Sequence, residues 1–128
     1  MKKVLIVDDD PNILFLISEV LTRNGYEPLM AYSGASALEL VRTHRPELVV
    51  LDIMMPGLDG FEVCKKIKAD PAYRDTKIVM LTAKTKAADI QAGLAAGADA
   101  YFTKPFKIAE LSAKIKQLLD PGAGGGKS

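Results

Sequence analysis

Short apolar runs that each end at a polar residue set the pattern of this chain of 128 residues. Residues 4–7, 48–51 and 78–81 are apolar throughout, as is typical of strands buried on both faces of a parallel sheet. A weaker strand pattern covers 27–31, and a short strand is predicted at 99–103. Segments with helical spacing of apolar residues separate the runs. The order predicts an α/β fold with five strands and five helices, in which βαβ units build a doubly wound parallel sheet covered on both faces.

Turn and capping residues predict where the helices begin and end. Asp10 is a preferred N-cap, and Pro11 suits the first helical position because its missing N–H would have no partner there. Gly25 fits the left-handed position that follows a helix. Asp59 and Glu62 have the spacing of a capping box, which predicts another helix start.

Two features of the later helices matter below. In the third helix, the apolar residues predict a buried face, which leaves Lys65, Lys66 and Lys68 on the side toward solvent. The fourth helix, 87–96, is rich in alanine but contains Gly93, which costs about 1 kcal/mol relative to alanine in a helix interior. This helix should therefore be the least stable of the five.

Composition excludes several classes of protein. Seventeen basic and 16 acidic residues give a net charge of +1, which gives no reason to expect nucleic-acid binding by this domain. The single cysteine, Cys64, excludes an internal disulfide and a thiolate metal cluster. No apolar run approaches the ~20 residues that span a bilayer, and the first run is too short for a signal peptide. A cytoplasmic protein without membrane contact is expected, with one domain in 1–120 and a flexible Gly-rich tail or truncated linker in 121–128.

Polar residues at the strand ends form a candidate site. Asp8 and Asp9, Asp52, Thr82 and Lys104 follow different strands, and the carboxyl ends of parallel strands share one edge of the sheet. Three carboxylates at one place repel each other unless a cation joins them, and ligands that are all oxygen favour magnesium over zinc. An ammonium and a hydroxyl complete a set that suits phosphoryl transfer.

Four motifs carry a resemblance to a known family. Residues 4–9, 48–60, Leu81-Thr82-Ala83 and Lys104-Pro105-Phe106 resemble the receiver domain of two-component response regulators, including the chemotaxis regulators. The resemblance extends from residue 2 to about residue 119. It implies a flavodoxin-like fold with strand order 2-1-3-4-5.

The resemblance also implies the chemistry of the site. Asp52 would accept a phosphoryl group from the phosphohistidine of a sensor histidine kinase or a phosphotransfer protein. Asp8, Asp9 and Asp52 would hold Mg²⁺ together with the backbone carbonyl of Met54. Lys104 would pair with a phosphoryl oxygen, and the bond from Lys104 to Pro105 would be cis.

A phosphorelay switch is the function that the resemblance implies. Thr82 would move toward the phosphoryl group, and Tyr101 would turn inward behind it. The surface of the fourth helix, fifth strand and fifth helix would then control an output domain, a target protein or a phosphorylation-dependent homodimer. The protein would not be a turnover enzyme, although slow self-dephosphorylation is expected.

Two alternatives stay open at the level of the sequence. Asp8-Asp9-Asp10-Pro11-Asn12 has the D-x-D-x spacing of a haloacid-dehalogenase-like phosphatase, with Asp8 as nucleophile and Asp10 as acid/base. That class usually has threonine where Asn12 stands, and no later acidic pair follows a strand. The second alternative is a receiver-like interaction module that is not phosphorylated. A flavin-binding protein is disfavoured because acids replace the expected phosphate-binding loop.

Overall fold

Five strands alternate with five α-helices in the computed structural model, which describes residues 1–52, 60–83 and 87–120. Among these residues, none of the helices combines the length and apolar character needed to cross a membrane. The elements are β1 (Lys3–Val7), α1 (Pro11–Arg23), β2 (Glu27–Ala31), α2 (Gly34–His44), β3 (Leu48–Leu51), α3 (Gly60–Ala69), β4 (Lys77–Thr82), α4 (Ala87–Ala95), β5 (Ala100–Thr103) and α5 (Ile108–Leu119), with a short 3₁₀ helix at Pro71–Tyr73.

The sheet has the predicted topology. Its strands lie in the order β2-β1-β3-β4-β5, and every pairing is parallel. The chain moves outward from β1 to β2, then returns past β1 to β3 and continues in the other direction. The reversal opens a crevice at the carboxyl ends of β1 and β3, where ligands bind in folds of this type. The fold and the strand order 2-1-3-4-5 are confirmed.

Alternating side chains divide the core between the two faces of the sheet. In β1, Val4 and Ile6 pack with residues of α1 and α5, whereas Leu5 and Val7 pack with residues of α2 and α3. The central strands are therefore covered on both sides, which explains why they are apolar at every position rather than at alternate ones. This cover makes the sheet a rigid platform for its carboxyl edge.

The predicted helix boundaries at the start of the chain are confirmed. The Asp10 side chain accepts a hydrogen bond of 2.9 Å from the backbone N–H of Asn12, and Pro11 is the first helical residue. Gly25 follows α1 with a φ of +85°, a conformation that favours glycine. Asp59 lies outside the described residues, so the capping box that it would form with Glu62 stays a prediction.

Lys68 corrects the expectation that the α3 lysines all face solvent. Lys65 and Lys66 are exposed, but only 20% of the Lys68 side chain is. Its ammonium donates to the Thr76 carbonyl at 2.6 Å and lies 3.2 Å from the Asp99 carboxylate. Since Lys68 is in the last turn of α3, its stem can lie along the protein surface while its ammonium reaches partners in the loops before β4 and β5.

The two ends of the described chain are fastened together by polar contacts. The Lys2 ammonium donates to Asp120 at 2.9 Å, and the Tyr26 hydroxyl donates to the other Asp120 oxygen at 3.0 Å. Lys2 also donates to the Leu119 carbonyl, one of the acceptors that the end of α5 leaves without a helical partner. These bonds hold the pKa of Asp120 below its usual value.

Because of the Tyr26 hydroxyl, the free energy of unfolding should depend on pH in the alkaline range. Burial first, and then the bond to Asp120, raise the pKa of Tyr26 from 10.0 to about 12. The folded protein therefore keeps this proton where the unfolded chain loses it, so stability falls as pH rises from about 10 to about 12. Tyr26→Phe should lower the free energy of unfolding by about 1 kcal/mol at pH 8. The difference should shrink above pH 10 in urea unfolding curves, and a constant difference would contradict this account.

Candidate functional site

Backbone hydrogen bonds extend the sheet just beyond its strands and fix the residues that follow them. The N–H of Asp52 donates to the Val7 carbonyl at 3.0 Å, and the N–H of Asp8 donates to the Ala31 carbonyl at 3.2 Å. Asp8 and Asp52 are thus held by the rigid sheet, although neither belongs to a strand. The N–H of Lys104 is held in the same way, by a bond of 2.7 Å to the carbonyl of Thr82.

These strand ends bring three carboxylates together, as the sequence predicts. One oxygen from each of Asp8, Asp9 and Asp52 lies within 4.8 Å of the others. Asp8 and Asp52 are only 1% and 3% exposed, whereas Asp9 is exposed at the mouth of the site. The cluster is therefore open to solvent on one side and closed by the core on the other.

Lys104 supplies the positive charge inside the cluster. Its ammonium lies 3.1 Å from an oxygen of Asp8 and 3.1 Å from an oxygen of Asp52. The bond between Lys104 and Pro105 is cis, as expected from the resemblance. Among the described residues, one ammonium is thus shared by two buried carboxylates, whose negative charge exceeds its positive charge.

The titration of these groups reflects this imbalance. Burial raises the pKa of Asp8, and the nearby Asp52 charge adds to the effect; hydrogen bonds from the Asp10 N–H and from Lys104 oppose it without cancelling it. For Lys104, burial alone would lower the pKa, but the bonds to Asp52 and Asp8 outweigh burial and raise it. The ammonium of Lys104 therefore stays charged, whereas ionisation of Asp8 is less favourable than that of an aspartate in water.

The donor set suits a hard cation. All three side chains offer carboxylate oxygens, which are ligands of magnesium and calcium and poor ligands of soft metals. A divalent ion would relieve the repulsion between the carboxylates and the cost of ionising Asp8. The predicted fourth ligand, the carbonyl of Met54, lies outside the described residues.

The other two predicted residues lie in the next two strands, Thr82 at the edge itself and Tyr101 one strand further out and two residues before the edge. Thr82 is completely buried at the last position of β4. Tyr101 lies opposite Met80 in the pairing of β4 with β5, and its ring packs with the core cluster beneath α2 and α3. Both residues lie in strands, so the sheet fixes their backbones and each retains the rotation of its side chain.

Asp10 has a structural task. Its carboxylate caps α1, while its backbone N–H donates to Asp8 at 2.9 Å. The acid/base position that a phosphatase of the haloacid-dehalogenase type needs is therefore occupied by a helix cap. The bridge that Lys104 makes between Asp8 and Asp52 was not predicted from the sequence, where only the excess of acids could have indicated it. Lys104 was predicted only as the partner of a phosphoryl oxygen.

Comparisons with known proteins agree with the geometry. The family model described as the response regulator receiver domain matches residues 4–116. The chain is 43% identical over 118 residues to the DNA-binding response regulator MtrA of Mycolicibacterium smegmatis, with 92% of this chain and 50% of MtrA covered. It is 44% identical over 118 residues to the alkaline phosphatase synthesis transcriptional regulatory protein PhoP of Bacillus subtilis, with 92% and 48% covered. The chain thus spans about half the length of these curated relatives.

A solved structure supports the same conclusion. The BeF3-activated receiver domain of DrrB superposes with a TM-score of 0.86 at 36% identity, and the match covers 94% of this chain and 98% of that one. The family model, the strand order and the superposed structure thus indicate the same family over nearly the whole described chain. The chain belongs to the receiver-domain family of two-component response regulators, which are phosphorylation-dependent signalling switches.

Proposed function

We propose that Asp52 is the residue of this receiver domain that accepts the phosphoryl group. The observation that carries the proposal is the position of its carboxylate, which is fixed at the crevice between β1 and β3, bonded to Lys104 and surrounded by Asp8 and Asp9. This position gives the Asp52 carboxylate both an ammonium and the acids that could hold a cation beside it, and these are the groups that stabilise a transferred phosphoryl group.

The proposed transfer conserves the phosphoryl group. An oxygen of Asp52 attacks the phosphorus of a kinase phosphohistidine, the P–N bond breaks, and the imidazole leaves with the electron pair and takes up a proton. Asp52 becomes an acyl phosphate. Asp8, Asp9 and Asp52 would hold Mg²⁺, which supplies positive charge to the phosphoryl oxygens. The Lys104 ammonium, already 3.1 Å from Asp52, compensates charge on the same group.

The consequence of the transfer is a change of state rather than release of a product. Phosphorylation adds up to about two negative charges beside Lys104 and Thr82. Thr82 and Tyr101 would report this charge to α4, β5 and α5, the surface that we assign to the output. The acyl phosphate would be hydrolysed slowly by the domain itself, which separates this protein from a turnover phosphatase.

The same proposal covers the surroundings of the domain. The receiver unit would occupy 1–120, because α5 ends at Leu119 and Asp120 fastens it to β1; residues 121–128 would form a tail or linker. A cytoplasmic sensor kinase or phosphotransfer protein would be the donor. The output would be a further domain, a target protein or a second copy of the receiver. Because the net charge is only +1, nucleic acid would be contacted by an output domain rather than by this one.

Phosphorylation of Asp52 can be tested by intact mass. With Mg²⁺ and acetyl phosphate, the parent protein should gain the mass of one phosphoryl group, and Asp52→Asn should gain none because the amide is not a nucleophile of this kind. Asp10→Asn is the matched control, since asparagine caps a helix as well as aspartate does. An adduct that persists in Asp52→Asn would refute the assignment. A phosphoryl group found on Asp8, together with repeated hydrolysis of acetyl phosphate, would favour the phosphatase. A parent protein that gains no mass would indicate a module that is not phosphorylated.

Magnesium binding can be tested separately through stability. Mg²⁺ should raise the melting temperature of the parent protein, because a ligand that binds only the folded state stabilises it. Asp8→Asn should lose this increase. Without Mg²⁺, the variant should melt above the parent, since it removes one of two buried carboxylates that lie close together and bond to the same ammonium, that of Lys104. Asp10→Asn should keep the Mg²⁺-dependent increase, and an equal loss in both variants would place the ion elsewhere.

A further inference from the structure

The inner side of α4 has a close contact that only glycine permits. Gly93 lies in the interior of this helix and is buried. A Cβ atom added there would lie 2.9 Å from two ring carbons of Tyr101 and 2.9 Å from the sulfur of Met80. Carbon atoms do not approach this closely without a shift. The missing side chain is thus what allows the Tyr101 ring to lie against the backbone of α4.

The C-terminal end of α4 is tied to the rest of the domain. The thiol of Cys64 in α3 donates to the Ala96 carbonyl at 3.4 Å. The Asp99 carboxylate accepts from the Ile78 N–H at 2.8 Å and lies 3.2 Å from the ammonium of Lys68. The turn after α4 is therefore bonded both to α3 and to the start of β4.

These ties decide which group must yield when space at Gly93 is filled. The helix cannot retreat at its C-terminal end without breaking the contacts of Ala96 and Asp99. Met80 is completely buried in the core, so its displacement would disturb its neighbours. Tyr101 is only partly buried, so a shift of its ring disturbs the core less than a shift of Met80 would. We therefore expect the ring to be the group that moves.

We propose that Gly93 is a positioning residue, the seat that holds the Tyr101 ring beneath α4 and makes ring and helix move together. A ring that leaves the seat frees the inner face of α4, and a helix that lifts frees the ring. Gly93 thereby sets how often Tyr101 occupies its inner position. The part that this contact plays in signalling rests on the proposed function, in which phosphorylation of Asp52 reaches α4 through Tyr101.

The first test follows the ring itself. Tyrosine labelled with ¹³C in the ring gives NMR signals for the four tyrosines, and Tyr101→Phe identifies the signal of Tyr101. In Gly93→Ala, that signal should shift and broaden more strongly with a soluble paramagnetic probe, because the ring has turned toward solvent. Addition of Mg²⁺ and beryllium fluoride should shift the Tyr101 signal in the parent, and this shift should be lost in Gly93→Ala.

Leu94→Ala is the matched control. Leu94 is the next residue in the same helix and is 49% exposed, so its truncation leaves the inner face of α4 unchanged. The Tyr101 signal and its response should match those of the parent. The seat is refuted if the Tyr101 signals of Gly93→Ala coincide with those of the parent, or if Leu94→Ala changes them to the same degree.

A double-mutant cycle supplies a readout that needs no phosphoryl group. Alanine is the better helix former, so helix propensity alone predicts that Gly93→Ala raises the melting temperature. We expect Gly93→Ala to lower the melting temperature in the parent, and to lower it less or raise it in the Tyr101→Ala background, where only the Met80 sulfur remains close to the added methyl group. Equal changes in the two backgrounds would contradict the proposed role of Gly93. By contrast, a parent protein that shows no adduct on Asp52 by intact mass would overturn the proposed function while this cycle still decides the role of Gly93.

Discussion

Two buried carboxylates that share one ammonium are the constraint on which the rest of this structure depends. Asp8 and Asp52 lie at the ends of neighbouring strands and are almost fully removed from water, and Lys104 bridges them. Well-packed apolar residues at such positions often give a more stable protein than buried ions do. A domain that keeps this arrangement gives up stability at this edge of the sheet. The covered faces of the sheet must supply that stability, and the site can use the unbalanced charge to attract a cation.

The fold and most of the site could be predicted because both follow from strand ends. Uniformly apolar strands indicate a parallel sheet, and parallel strands bring the residues after them to one edge. Asp8, Asp9, Asp52 and Lys104 needed no further information to be placed together. Asp10 and Gly25 act locally, so their roles as cap and helix end were also within reach of the sequence.

Other features could not be predicted because they depend on where long side chains reach in three dimensions. Lys68 belongs to the polar side of α3 by helical spacing, yet its four-carbon stem carries the ammonium to Asp99 on another loop. Gly93 appeared as a weak point in a helix, since helix propensity measures only the backbone. That its missing side chain admits the ring of Tyr101 depends on the register of β4 with β5 and on the closeness of α4 to the sheet.

The bonds of Lys2 and Tyr26 to Asp120 affect how the domain resists a pulling force. The Lys2 bond joins the beginning of β1 to the end of α5, and the Tyr26 bond joins the beginning of β2 to the same point, so side chains close the described chain into a loop. Tension applied at residue 120 would pass through Lys2 into β1, a central strand held by neighbours on both sides. The domain would therefore resist being peeled from its last helix. Its adjacent ends would also tolerate being joined and reopened elsewhere, as in a circular permutation.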